Sequence, residues 1–410
     1  MDISLSIKNK IKPVNLIITG SKSETNRLLL LQALYPGLII QNASESDDSA
    51  VMRKALCSED SVMDVHHAGT AMRFLTAYFA IQPGRELIVT GSQRMLSRPI
   101  GVLVDALRAL GADIAYIGTE GFPPLKIRGK KLSGGRVAIA ANVSSQYITA
   151  LLLIAPRLEN GLELVLEGEI TSRPYIEMTL GLLKNAGFKV SFTGNIIVVF
   201  PKSEIYNLKS EITIESDWSS ASYFYSIVAL SEEGAKVTLS SYKQGSLQGD
   251  SVIVAIYKEF GVITEFSGPS VILTKIKCQP VAVNLDLNNT PDIAQTLAVT
   301  CLGLGIGCAL TGLHTLKIKE TDRLGALKTE MEKLGAQVRI THDSLTLEPL
   351  TTIKDNVIIT TYNDHRMAMA FAPLSVKGIG LTIRDAEVVT KSYPAFWDDL
   401  SLLGFETREI

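Results

Sequence analysis

Apolar residues recur along this chain with two rhythms. In "LVDALRALGADIAYI", "MTLGLLKNAGFKVSF", "VIVAIYKEFGVITEF" and "LKTEMEKLGAQVRI" they follow the 3.6-residue period of an amphipathic helix, reach a glycine, and then alternate with the period of a strand. A glycine at that point suits the left-handed cap that ends a helix, so each stretch predicts helix, cap and strand. The glycines are Gly111, Gly187, Gly261 and Gly335, in steps of 76, 74 and 74 residues. A further copy, "LSLLGFETREI", puts Gly404 another 69 residues on, and the stretch around "VMRKALCSED" leaves room for one earlier unit. Helix, glycine and strand follow one another in any α/β protein; the near-constant period is what makes this a repeat. Six units, three per half, predict an α/β (α+β) fold of two similar domains with helices packed against sheets, the first half ending near "ITIESDWSSASYF".

Length and composition agree with that division. A chain of 410 residues is too long for one core, and 46% hydrophobic against 20% charged residues is the balance of a compact protein rather than a disordered one. The net charge of −2 argues against a general nucleic-acid binder, so any basic site must be local. The longest apolar stretch, Leu297 to Leu313, is broken by glycines and too short for a membrane span; it predicts a buried helix running into a strand. The first residues, "MDISLSIKNK", have no apolar core of a signal peptide, and Cys57, Cys278, Cys301 and Cys308 show no metal-ligand spacing. Both features point to a cytoplasmic protein with reduced thiols.

The charges that change the picture sit where helices begin. "GSKSETNR" lies between the apolar run Val14 to Thr19 and a leucine-rich helix, which puts Lys22 and Arg27 at the positive end of a helix dipole. In "HHAGTAMRFLTAYF" a helix starts near Gly69 or Thr70 with Arg73 in its first turn. In "YNDHRMAMAFAPL" Asn363 or Asp364 caps a helix that opens with His365 and Arg366. Three cationic helix starts suggest bound anions. "NVSSQYITALLL" and "EITSRPYIEMTL" add Ser144, Ser145, Gln146 and Ser172 at two more starts, although each serine is also an ordinary cap. "GSKS" lacks the glycine before lysine that a nucleotide-binding P-loop needs. Asp292 in "TPDIAQ" and Glu320 in "LKIKETDRLGAL" are the candidate acids, each also explicable as helix-start or solvated charge.

Taken in order, "GSKSxxNR", "AGTAMR", "RPI", "SSQ" with "TALL", "SRPYI", "PD", "KETDR", "NDHRMAM" and "TKSYPxFW" resemble the 5-enolpyruvylshikimate-3-phosphate synthases over nearly the whole chain. The resemblance implies the inside-out α/β barrel of the enolpyruvyl transferases, with three βαβαββ copies in each domain. It also implies that the N-terminal strand joins the second half, giving domains of residues 1–13 with 216–410 and of residues 14–215, and an active site in the cleft between them. The implied activity moves the carboxyvinyl group of phosphoenolpyruvate to the 5-hydroxyl of shikimate 3-phosphate and releases phosphate. No metal or organic cofactor is implied, glyphosate is the implied inhibitor, and the working form is expected to be a monomer with neither nucleic-acid nor membrane partner.

By motif match, shikimate 3-phosphate falls to Lys22, Ser23, Arg27, Ser144, Ser145, Gln146, Ser172, Asp292, Thr315 and Lys319. Phosphoenolpyruvate falls to Lys22, Gly69, Arg73, Arg98, Gln146, Arg323, Arg366 and Lys391. Asp292 is the implied base for the 5-hydroxyl, with Glu320 and Lys22 handling protons at the enol carbon. The two substrates together carry about −5 to −6, which gives the cationic helix starts a purpose. Two positions depart from the family pattern: His67 and Thr315 each stand where asparagine is common. The related transferase that acts on UDP-N-acetylglucosamine carries a cysteine in the loop that here reads "TGSQRMLSRPI", and this chain has none. A non-catalytic anion binder of the same fold would have little use for Asp292 and Glu320 beside polyanions.

Overall fold

The glycines that punctuate the repeat do end helices. Gly111, Gly187, Gly261, Gly335 and Gly404 all adopt φ between 77° and 102°, the left-handed region that a side chain would strain. A computed structural model describes residues 1–142, 144–202 and 211–410 of the protein. The chain forms two compact units, one of Met1–Gly20 with Glu215–Ile410, the other of Ser21–Ile214.

Five four-stranded sheets share one topology. In the second unit, Val62–Asp64 runs parallel to Glu86–Thr90 across a helical crossover, and the hairpin Asp113–Tyr116 with Leu125–Arg128 then adds antiparallel to Glu86–Thr90. Gly135–Ala140, Leu162–Glu167, Val190–Thr193 and Ile196–Val199 repeat the arrangement. The first unit holds a copy at residues 283–347 and two more completed by the N-terminal segment. There Ile3–Ile7 lies between Leu381–Ile383 and Phe405–Glu409, and Val14–Leu16 lies parallel to Lys236–Ser240. The sixth sheet has two strands among the described residues, Ile39–Gln41 and Glu211–Thr213.

One boundary differs from expectation. Residues 14–20 belong with the Glu215–Ile410 segment and not with residues 21–214, because Val14–Leu16 finds its only sheet partner among the described residues in Lys236–Ser240. A three-residue strand at the start of an apolar run carries no local mark of which sheet it will join.

Each sheet buries one face, as strand alternation demands: Leu87 and Val89, Leu162, Leu164 and Leu166, Val237 and Leu239 point inward. In each unit at least one helix is buried on nearly all sides. In Trp218–Leu230 every residue except Ser219 is buried, and Ser145–Ile154 is buried apart from Gln146. Apolar all round, such helices can exist only inside a core. The sheets therefore lie toward the outside of each unit and these helices in its middle.

The expected buried helix and strand also form, as Ala294–Leu304 capped by Gly305 and followed by Cys308–Thr311. This helix meets Trp218–Leu230 through hydroxyls, with Thr300 Oγ1 2.7 Å from Ser226 Oγ and Thr296 Oγ1 3.1 Å from Ser222 Oγ. Small side chains bring the two helices close, and the hydroxyls satisfy one another across the contact.

Candidate active site

In the second unit the cations predicted from "GSKSETNR" open the helix Lys22–Leu34, which Ser21 caps. Lys22 Nζ lies 3.2 Å from Asp48 Oδ2, a partner that sequence reasoning missed because Asp48 sits in the first turn of its own helix, Asp47–Cys57, where acids are ordinary. Arg27 is buried and ties three helices together. Its Nε donates to Thr179 Oγ1 at 2.9 Å, and its two Nη atoms reach the carbonyls of Ser23 and Tyr175 and the hydroxyl of Thr149. Burial pushes the Arg27 guanidinium down to about 10, with Glu24 opposing, so it remains a cation at neutral pH.

The helix Gly69–Ala80 begins without a side-chain cap. Arg73, in its first turn, donates to Gly69 O at 3.2 Å and to Pro99 O at 2.8 Å, and so holds the "RPI" loop against the helix start. That loop carries Arg98, whose guanidinium is so close to Gly69 that a Cβ there would meet Nη1 at 2.6 Å. Gln146 Nε2 lies 3.2 Å from Thr70 Oγ1, which links a third helix start to the same place, and Ser144 caps that third helix through Gln146 N. Ser172 departs from the capping role its sequence suggests: it takes a left-handed φ of 56° and makes no side-chain cap bond.

In the first unit the acids and cations form one array. Arg323 opens the helix Arg323–Lys333, which Asp322 caps, and its side chain is only 2% exposed. Its Nε donates to Asp364 Oδ2 at 2.6 Å, its Nη1 to Asp292 Oδ1 at 3.1 Å and its Nη2 to Glu320 Oε2 at 2.9 Å. Burial alone would lower its pKa; Asp364, Glu320 and Asp292 outweigh that and raise it. One guanidinium thus fixes both candidate acids. In the sequence Asp364 reads only as a cap, which it also is, accepting from Arg366 N at 2.9 Å.

Asp292 sits in the turn Pro291–Ile293 at the meeting point of three cations. Besides Arg323, Arg366 Nη2 lies 3.0 Å from its Oδ2, and Lys319 Nζ 3.6 Å from its Oδ1. Lys391 Nζ donates to Asn363 O at 2.6 Å, which holds the loop that leads into the Arg366 helix. Thr315 lies in the turn His314–Ile318, and its Oγ1 is buried without a hydrogen-bond partner.

Each unit therefore collects cations and hydroxyls at the starts of its helices, and the first adds two fixed carboxylates. The sequence profile of EPSP synthase (3-phosphoshikimate 1-carboxyvinyltransferase) matches residues 52–400 of this chain. The chain belongs to the EPSP synthase family. It is 45% identical over 404 residues to a 3-phosphoshikimate 1-carboxyvinyltransferase of Bacteroides fragilis (strain YCH46), covering 98% of this chain and 97% of that one. A protein of the same name from Shewanella halifaxensis is 35% identical, with 94% and 96% covered. Among solved structures, EPSP synthase from Acinetobacter baumannii shares the fold with a TM-score of 0.78 at 21% identity over 100% of both chains. The enolpyruvyl transferase NikO from Streptomyces tendae does so at 0.74 and 13%, covering 99% of this chain and 98% of that one.

Proposed function

We infer that this chain transfers the carboxyvinyl group of phosphoenolpyruvate to the 5-hydroxyl of shikimate 3-phosphate, releasing phosphate. The reading is carried by one observation: a chain related to 3-phosphoshikimate 1-carboxyvinyltransferases over 98% of its length keeps two carboxylates fixed on a single buried guanidinium. A protein that only bound anions would gain nothing from them; an addition and elimination that moves protons needs them.

Asp292 takes the proton of the 5-hydroxyl as its oxygen bonds to the enol carbon, while Glu320 or Lys22 delivers a proton to the methylene carbon. The product of this addition is a tetrahedral intermediate. Removal of a proton from the new methyl group then re-forms the double bond, and the carbon–oxygen bond to phosphate breaks. Lys22, Arg98, Arg366 and Lys391 stabilise charge that builds on carboxylate and phosphate. Arg323, with its fork held by three carboxylates, serves mainly by fixing Asp292 and Glu320. Arg73 holds the Arg98 loop. Lys22, Ser23, Arg27, Ser144, Ser145, Gln146, Ser172, Thr315 and Lys319 receive shikimate 3-phosphate.

Glyphosate, an anion of similar size, competes with phosphoenolpyruvate in this reading. The working form is a monomer and its compartment the cytoplasm in the same reading. Among the described residues no helix is long and apolar enough to cross a membrane. Phosphate release measured with each substrate alone and with both is the test. Release only with phosphoenolpyruvate and shikimate 3-phosphate together, with the enolpyruvyl ether seen by mass spectrometry, is expected; release with UDP-N-acetylglucosamine instead, or none, overturns it.

A further inference from the structure

We propose that Asp250 is a positioning residue that takes up a proton from solvent when an anionic substrate settles on Arg366, keeping the Arg366–Asp292 pair in charge balance. The inference rests on the reading above that Arg366 receives phosphoenolpyruvate.

Asp250 lies in the turn Gly249–Val252 and is 4% exposed. The turn is fixed to the start of the helix Trp218–Leu230 by Gln248, whose Oε1 accepts from Trp218 N and whose Nε2 donates to Ser216 O. Ser219, the one residue of that helix not buried, donates its hydroxyl to Asp250 Oδ2. The same hydroxyl oxygen lies 3.5 Å from Arg366 Nη2, which is itself 3.0 Å from Asp292 Oδ2. Four side chains from separate elements thus form one line: Asp250, Ser219, Arg366, Asp292.

Asp250 has no cation of its own in this line. The charged groups that face it are Asp292 and Arg366, with Asp217, the cap of the Ser219 helix, as a further like charge. Its Oδ1 is buried with no hydrogen-bond partner, an arrangement costly for a carboxylate and much less so for a carboxylic acid, whose proton can sit on that oxygen. Burial pushes its carboxyl up to about 7, Asp292 adding to the rise while Arg366 and the Ser219 hydroxyl oppose it. Arg366 therefore stands between two acids, one holding its proton weakly enough to exchange near neutral pH. Phosphoenolpyruvate on Arg366 would add negative charge and draw off the cation's favourable field, and Asp250 answers by protonating. The proton returns to solvent when the ligand leaves.

The sign follows. The neutral form of Asp250 is the one that welcomes the anion, so kcat/KM for phosphoenolpyruvate should fall as pH rises above about 7. A one-unit rise of its pKa on binding corresponds to about 10-fold tighter binding by the protonated form. Asp250→Asn, neutral at every pH and of the same shape, should flatten that fall by about 10-fold between pH 7 and pH 9. Ionisations of the substrate itself are common to all variants. Ser219→Ala keeps the carboxyl and removes the hydrogen bond that favours its charged form, so the fall should move to higher pH. Titration of glyphosate into the enzyme saturated with shikimate 3-phosphate, in buffers of different ionisation enthalpy, should show proton uptake that Asp250→Asn loses. A merely structural Asp250 would lower activity without moving the pH profile. If Asp250→Asn does not fold, the Ser219→Ala profile decides, and an unmoved profile overturns the proposal. Turnover with unchanged profiles in both variants rejects only Asp250. Normal phosphoenolpyruvate binding in Arg366→Ala rejects the reading of the site, and the role of Asp250 with it.

Discussion

Asp292 is held by cations on three sides, and that sets what its replacement should do. Asn at this position keeps the shape and removes both the base proposed for the 5-hydroxyl and the charge that balances Arg323, Arg366 and Lys319. Turnover of Asp292→Asn should drop by about 100-fold or more while shikimate 3-phosphate still binds. Turnover near that of the unaltered enzyme would remove Asp292 from the mechanism. Gly69 offers a second residue-scale test. An alanine Cβ would lie 2.6 Å from Arg98 Nη1 and 2.9 Å from Nη2, and the guanidinium is the part free to yield. Gly69→Ala should fold normally, raise KM for phosphoenolpyruvate by about 10-fold, and leave shikimate 3-phosphate affinity within a factor of about 2. An unchanged KM would mean that Arg98 does not reach phosphoenolpyruvate. At this scale the sequence made legible the residues that interrupt a helix start with the wrong charge, such as Lys22, Arg73 and Arg366. Asp48, Asp364 and Asp250 were hidden because an acid in a turn or at a cap has an ordinary explanation, and only their partners, distant in the chain, reveal another.

Elements were most legible where chain periodicity and a cap agreed, as at the helix–glycine–strand units ending in Gly111, Gly187 and Gly335. They were least legible where the backbone is strained. Tyr362 and Asn363, φ 54° and 56°, are consecutive left-handed residues just before the Asp364 cap, a cost of roughly 1–3 kcal/mol each that surrounding structure must offset. Glu330, wholly buried on the helix that begins with Arg323, supplies the hold. Its Oε1 accepts from Tyr362 Oη at 2.6 Å, and its Oε2 accepts from Thr360 N at 3.1 Å and Lys333 Nζ at 2.6 Å. The helix that positions Arg323 thereby also positions the turn that presents Asp364 and Arg366. Glu330→Ala leaves a hydroxyl, an amide and an ammonium without their acceptor, and should cost about 3 kcal/mol of stability. Thermal unfolding should show Tm lower by roughly 6–12 °C. A change below about 2 °C would show that the strained turn is held from elsewhere.

At the scale of the whole molecule, pairing across long stretches of chain decides the order of assembly. Ile3–Ile7 cannot complete its sheet until Leu381–Ile383 and Phe405–Glu409 exist, and Val14–Leu16 must wait for Lys236–Ser240. Nothing local in a five-residue strand announces a partner nearly the full chain away, which is why the residue pattern alone did not show this pairing and family resemblance was needed to suggest it. The unit Ser21–Ile214, by contrast, closes its own sheets. Closing long loops slows folding, so the inserted unit should form first and the interrupted one last. Pulse-labelled hydrogen exchange during refolding should protect amides of Glu86–Thr90 and Leu162–Glu167 before those of Leu381–Ile383 and Phe405–Glu409. Deleting residues 1–7 sharpens the test, because it parts Leu381–Ile383 from Phe405–Glu409 by removing the strand between them. Limited proteolysis of that shortened chain should leave a resistant fragment beginning near residue 21 and ending near residue 214. Digestion of both units at one rate would mean that they unfold as a single cooperative body and that the inserted unit has no stability of its own.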